Sequence, residues 1–195
     1  MSAVSIFDQG NLGSCTGNAS VGCLGNDPFF STLPAGTELD EKVAVSVYSD
    51  ATVIDGFPGS YPPDDTGSDG LSVAKVLQKR GLISGYTHTF SFNEALKALS
   101  TQPVIIGVNW YQSMFNPDAD GILHIGAGEQ PVGGHEFILD EIDVSRQLVG
   151  MQNSWGTSWG LNGRAYIPFA MLQRLLNEQG DVTVFVPVTQ PAPVP

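Results

Sequence analysis

Two cysteines and three histidines are all that this 195-residue chain holds of the side chains best suited to nucleophilic and metal chemistry at neutral pH. Positive charge is scarce too: 8 Lys+Arg stand against 20 Asp+Glu, a formal net charge of −12. No basic stripe exists to neutralise phosphates, which excludes nucleic acid and anionic membrane surfaces as expected partners. The acidic excess then serves solubility. Only 14% of residues are charged while 23 are glycine, which argues for a fold rich in loops and turns rather than a helical bundle. No run of 18 apolar residues is present, so no membrane span is expected. The first residues, Met1 to Phe7, lack a basic segment followed by an apolar one, and no signal peptide is read there. If Cys15 and Cys23 share one helix, about 12 Å of rise separates them, beyond the roughly 7 Å that a disulfide can span. The chain is therefore expected to fold without staples, in the cytoplasm or another reducing compartment.

What the chain does have is core-forming material: 42% hydrophobic and 9% aromatic residues, enough for one large domain or two small lobes. The front half reads as helices between irregular loops. Ser14 is placed to cap a helix through Cys15, Ala19, Val21 and Cys23, ending near Gly25. Asn18, Gly17 and Gly22 make this a poor helix by propensity, so packing must hold it, with Gly22 and Gly25 admitting another backbone. Further helices are expected over 37–48, 71–80 and 92–99, with a glycine- and proline-punctuated loop from Asp55 to Gly70. From Pro103 the pattern turns to strands, over 104–108, 122–125, 136–142, 147–152, 164–167 and 182–186, with a hairpin turn at 143–146 and one helix near 168–178. Helices first and strands later imply an α+β fold. The expected organisation is a helical lobe over about 10–100, a β lobe over about 101–188, and a Pro-rich tail at 189–195.

Three segments carry chemistry. In Asp8-Gln-Gly-Asn-Leu-Gly-Ser-Cys15, a glycine and a serine lead a cysteine into a helix. Free amide groups at a helix N-terminus favour the thiolate, the nucleophilic form. In Pro131-Val-Gly-Gly-His135-Glu-Phe-Ile-Leu139, two glycines bring backbone close to something before a histidine that opens an apolar strand. In Asn153-Ser-Trp-Gly-Thr-Ser-Trp-Gly160, Asn153 is placed to accept a hydrogen bond from the far nitrogen of His135 and so fix its tautomer.

Together these segments resemble the papain-like cysteine peptidases, the family of papain and the cathepsins, over about residues 6–187. Gln9 to Cys15 is similar to that family's Gln-Gly-x-Cys-Gly-Ser-Cys stretch, Gly134-His135 to its histidine strand, and 153–160 to its asparagine motif. The separations, 120 residues from Cys15 to His135 and 18 from His135 to Asn153, are slightly shorter than the family's usual ones. The resemblance implies a two-lobed α+β fold: a helical N-terminal lobe, an antiparallel β-barrel-like C-terminal lobe, and a cleft between them. It implies acyl transfer through a thioester, with Cys15 as nucleophile, His135 as acid and base, and Asn153 orienting His135. Gln9 and the Cys15 amide would form the oxyanion hole, and Trp155 would shield the histidine–asparagine contact. A substrate-binding set follows: Ser68, Asp69 and Gly70 from a glycine-rich loop, with Gly134, Glu136 and Trp155. No metal or organic cofactor is expected; the partner is a peptide or protein substrate and the molecule a monomer.

Departures from the family pattern shape the reading. Leu12 stands where the family has a disulfide cysteine. Thr16 replaces its usual tryptophan, as in bacterial and phage relatives. Glu136 stands where a small residue is usual; facing the cleft, it would favour a basic residue at the second substrate position. No inhibitory pro-segment precedes Gln9, so activity is restrained otherwise or the segment has been removed. His88 and His124 are read as structural, and Asp64, Asp65 and Asp69 as a solvated loop, since Gly67 and Val76 spoil a calcium-loop pattern. Two rival functions are a cell-wall peptide amidase or endopeptidase and a non-catalytic peptide-binding module.

Overall fold

A computed structural model describes residues 2–189. All of the Pro-rich tail except Thr189 therefore lies outside the described residues. The described residues form six α-helices and six strands, four of the helices preceding the first strand. The helices are α1 (Cys15–Leu24), α2 (Phe29–Thr32), α3 (Glu41–Ile54), α4 (Gly70–Lys79), α5 (Phe92–Leu99) and α6 (Phe169–Asn177). The strands are β1 (Gly85–Thr89), β2 (Val104–Tyr111), β3 (Pro131–Asp143), β4 (Leu148–Gln152), β5 (Arg164–Pro168) and β6 (Asp181–Val186). They form one antiparallel sheet in the order β1-β6-β2-β3-β4-β5. The α+β expectation, helices before an antiparallel sheet, holds.

The sheet is apolar on both faces, which explains why Val104-Ile-Ile reads as an unbroken hydrophobic run rather than an alternation. Val104, Ile106, Val108 and Trp110 of β2, with Phe137 and Leu139 of β3, join a core closed by α5 and α6. Ile105, Ile138 and Phe185 point the other way, into a second core with α1, α3 and α4. Helix α5 packs its Phe92, Ala95 and Leu99 on the first of these cores.

Helix α1 is the interior element of the second core; every residue from Thr16 to Leu24 is buried. Its glycines allow this, though not where the sequence pointed. At Gly17 a Cβ would collide with the Ala44 carbonyl of α3, so the close backbone approach occurs here. Gly22 and Gly25 face side chains instead, those of Ile138 and Val4.

Most expected elements lie within a few residues of their predicted positions. The second helix begins later and ends later than 37–48, because Asp40 caps it by accepting from the Val43 amide at 2.9 Å. The expected strand 122–125 is reduced to a single bridge, Ile122 to Tyr166, because Asp118 takes the Ile122 amide in a local turn. Strand β1 lacks an apolar alternation and was not anticipated; its order comes from pairing with β6.

Candidate active site

Cys15 is the first residue of α1. Ser14 does not cap the helix with its side chain, contrary to expectation. Its hydroxyl instead receives Asn18 Nδ2 at 3.0 Å, and its carbonyl receives the same group at 2.9 Å. An uncapped first turn leaves amide groups for the sulfur: those of Cys15, Thr16 and, across the cleft, Glu136 all favour a thiolate at Cys15. Burial is the larger influence and pushes the Cys15 thiol up to about 11, with the Glu136 charge adding to it. Cys23, two turns on, lies fully in the core, where burial and then the charge of Asp140 push its thiol up further. Both cysteines are free.

His135 sits on β3 on the same face as Phe137, walled by aromatic rings. Trp155 stacks on it at 4.6 Å between centroids, and Trp110 meets it edge-on at 4.8 Å. Phe115 stacks in turn on Trp155 at 5.2 Å. His135 Nε2 lies 2.7 Å from Asn153 Oδ1. That oxygen also accepts the Ser154 amide at 2.8 Å, which fixes which end of the Asn153 amide faces the ring. Nε2 must then carry hydrogen and donate, leaving Nδ1 as the bare, basic nitrogen. Burial pulls His135 down to about 4, partly opposed by the hydrogen bond to Asn153. At neutral pH the imidazole is uncharged and able to accept a proton.

Gln9 is held at both ends. Its Oε1 accepts from Ser154 Oγ at 2.7 Å, and its Nε2 donates to the Leu12 carbonyl at 2.8 Å. One amide hydrogen of Nε2 is left over. The backbone couples the same pieces, since the Gln9 amide donates to the Ser154 carbonyl at 2.9 Å.

Gln9, Cys15 and His135 line one cleft of about 590 Å³, together with Ser68, Asp69, Gly134, Glu136 and Trp155. Of the expected substrate-binding set, only Gly70 is off the cleft wall, buried at the start of α4. Asn153 stands behind His135. Glu136 is buried but turned to the cleft, because β3 alternates and Glu136 shares the face of Ile138, not of His135. Burial, then the charges of Asp181 and Asp69, hold its carboxyl well above the usual carboxylate range.

Several residues escaped the sequence reading. Asp181 and Asn109 line the cleft, and Trp110 walls His135. Only the strand registers bring them there, and no local pattern marks them. The acidic loop is not simply solvated. Asp65 accepts the Gly13 amide with both oxygens, at 2.9 and 3.1 Å, and Tyr48 Oη donates to it at 2.5 Å. Asp69 caps α4 by accepting from the Ser72 amide at 2.7 Å. His124 and His88 stand away from His135, paired with Asp118 at 2.7 Å and Thr183 at 3.0 Å.

Among solved structures, the chain superposes on xylellain, a cysteine protease of Xylella fastidiosa, with a TM-score of 0.76 over 97% of this chain and 85% of that one. This is the papain-like fold. Sequence identity in that comparison is 18%. A cysteine protease of Carica candamarcensis gives a TM-score of 0.60 at 16% identity, covering 96% of this chain and 95% of that one. Digestive procathepsin L2 of Tenebrio molitor gives 0.64 at 16%, covering 94% and 64%. No protein-family model matches the chain. One curated relative is an uncharacterized peptidase C1-like protein of Acanthamoeba polyphaga mimivirus, 29% identical over 96 residues. The match spans 48% of this chain and 30% of that protein. On the papain-like scaffold here, the sheet supplies His135 and the buried helix α1 supplies Cys15, and both line the same cleft.

Proposed function

We propose that the protein is a cysteine endopeptidase that cuts peptide bonds through a thioester on Cys15. The observation that carries this reading is the Asn153 amide, pinned by the Ser154 N–H so that it can only accept from His135 Nε2. It leaves Nδ1 as the proton acceptor in the cleft that Cys15 enters. As the thiol attacks the carbonyl carbon, its proton passes to Nδ1; the C–S bond forms and the carbonyl oxygen becomes an oxyanion. Gln9 Nε2 and the Cys15 amide are the donors for that oxyanion. The imidazolium then returns its proton to the leaving amine, and neutral His135 draws a proton from water to hydrolyse the thioester. None of these steps calls for a metal or organic cofactor.

We further assign a helical lobe over about 10–100 and a β lobe over about 101–188 as the walls of the cleft, and a monomer as the working unit. No helix among the described residues is long and apolar enough to cross a membrane.

The test is hydrolysis of casein and of fluorogenic peptides by the protein and by its Cys15→Ala variant. Cleavage by the first and none by the second is expected. Release of amines from purified peptidoglycan with casein left intact would overturn the general endopeptidase reading in favour of a cell-wall enzyme. Equal, negligible turnover by both would leave a peptide-binding module.

A further inference from the structure

Two acids of the cleft have no part in the cysteine–histidine chemistry. Strands β3, β2 and β6 lie side by side, and their register sets Glu136 opposite Gly107 and Gly107 opposite Asp181. Residues directly opposite one another share a sheet face. The row across the sheet is thus a carboxylate, a residue with no side chain, and a second carboxylate, and all three line the cleft, so the wall at Gly107 is a pit with an acid on each side. A Cβ at Gly107 would lie 2.9 Å from Glu136 Oε2 and 3.1 Å from Asp181 Oδ1, so both acids lean over the pit. Gly70 makes room for the Glu136 carboxyl itself on the helical side, since a Cβ there would lie 2.7 Å from Glu136 Oε1. Asp69, beside it, is a third carboxylate on the same cleft.

The acids are unsatisfied as they stand. Glu136 is 4% exposed, and its Oε1 has no hydrogen-bond donor. Asp181 Oδ2 also lacks a hydrogen bond; His88 Nε2 stands 3.5 Å from it, on the side away from Glu136's strand. Among the described residues every lysine or arginine ion pair is made with some other acid. A buried carboxyl without a donor is unfavourable, and a partner from outside would meet its other oxygen, Glu136 Oε2 or Asp181 Oδ1, where both lean in over Gly107. That partner is not a metal ion, because no three acidic, histidine or cysteine side chains among the described residues converge closely enough to hold one. The two acids rise from strands two spacings of about 4.8 Å apart, and their oxygens face each other across Gly107 rather than meeting at one point. A planar guanidinium with five donors suits that spread better than a compact ion.

We propose that the pit over Gly107, bounded by Glu136, Asp181 and Asp69, is a specificity pocket for the cationic side chain of a substrate arginine, with lysine second, close to the bond that is cut. This rests on the peptidase reading and names the substrate class that reading leaves open.

The test is a set of fluorogenic peptides that differ only in carrying arginine, lysine or norleucine at each of the two positions before the scissile bond. Arginine at one position is expected to exceed norleucine in kcat/KM by at least tenfold. Glu136→Gln and Asp181→Asn should each shrink that ratio by about tenfold or more. Taking the ratio within each variant removes any effect of Glu136 on its neighbour His135. Equal cleavage of arginine and norleucine peptides, or an unchanged ratio in both variants, overturns the pocket. If no peptide is cut, the peptidase reading fails separately, and calorimetry with an arginine tripeptide decides. Binding to the Cys15→Ala protein that disappears on adding Glu136→Gln supports the pocket, and no binding overturns it.

Discussion

At the scale of single residues, the site is a set of side chains each held by a contact that restricts what it can do. Gln9 illustrates this. Its oxygen is occupied by Ser154 Oγ and one amide hydrogen by the Leu12 carbonyl, so its remaining hydrogen has a fixed direction before any substrate arrives. Donors fixed in advance contribute chiefly where charge develops, in the transition state. Gln9→Ala is therefore expected to lower kcat on a peptide substrate by about 100-fold or more while KM changes little. Steady-state kinetics with a fluorogenic peptide checks this. A rise in KM at constant kcat would place Gln9 in substrate binding rather than at the oxyanion.

At the scale of elements, Asp65 ties three of them together. It joins the Gln9–Cys15 segment through the Gly13 amide, α3 through Tyr48, and its own loop, which Tyr48 also steadies by accepting the Gly67 amide at 3.1 Å. Asp65→Ala removes a charged acceptor from two donors at a position that water can reach. A loss of about 1–2 kcal/mol is expected, read as a fall of roughly 2–8 °C in Tm. Activity should fall further than stability, because the freed Gly13 amide lies in the segment that presents Gln9. A variant with lowered Tm but unchanged kcat would show that the segment holds its shape without this tie. Contacts of this kind mark the limit of what the sequence discloses. The three chemical segments were legible because their glycines, tryptophans and polar residues are local in the chain. The α+β order was legible because hydrophobic periodicity changes near Pro103. Asp65 and Asp181 were not, since each gains its place from a partner more than 50 residues distant, Gly13 for one and Gly107 for the other. Ser14 was misread for the opposite reason: a local rule assigned it a cap that Asn18, one turn on, takes away.

At the scale of the whole molecule, the two cores meet along a sheet apolar on both faces, and titratable groups lie buried beside that junction. This couples the stability of the fold to the protonation of its site. His135 is pulled from an ordinary 6.5 to about 4, so the folded protein binds this proton less well than the unfolded chain does. Its contribution is complete above pH 6.5 and is lost as pH falls through about 4, on the order of 3 kcal/mol. Cys15 is raised from 9.0 to about 11, so its contribution is complete below pH 9.0 and lost as pH rises through about 11. Glu136 is raised as well, and its contribution is greatest at low pH and lost as pH rises, opposing that of His135. Urea unfolding of the protein and of His135→Gln, followed from pH 7 to pH 4, separates the effects. The stability difference between the two proteins should shift against the wild type by about 3 kcal/mol across that window. Glu136→Gln should do the reverse, gaining on the wild type as pH rises from 4 to 7. A constant difference for His135→Gln would mean that the imidazole keeps an ordinary affinity for its proton. Hydrolysis would then be expected to fail well above pH 4, rather than persist down to it.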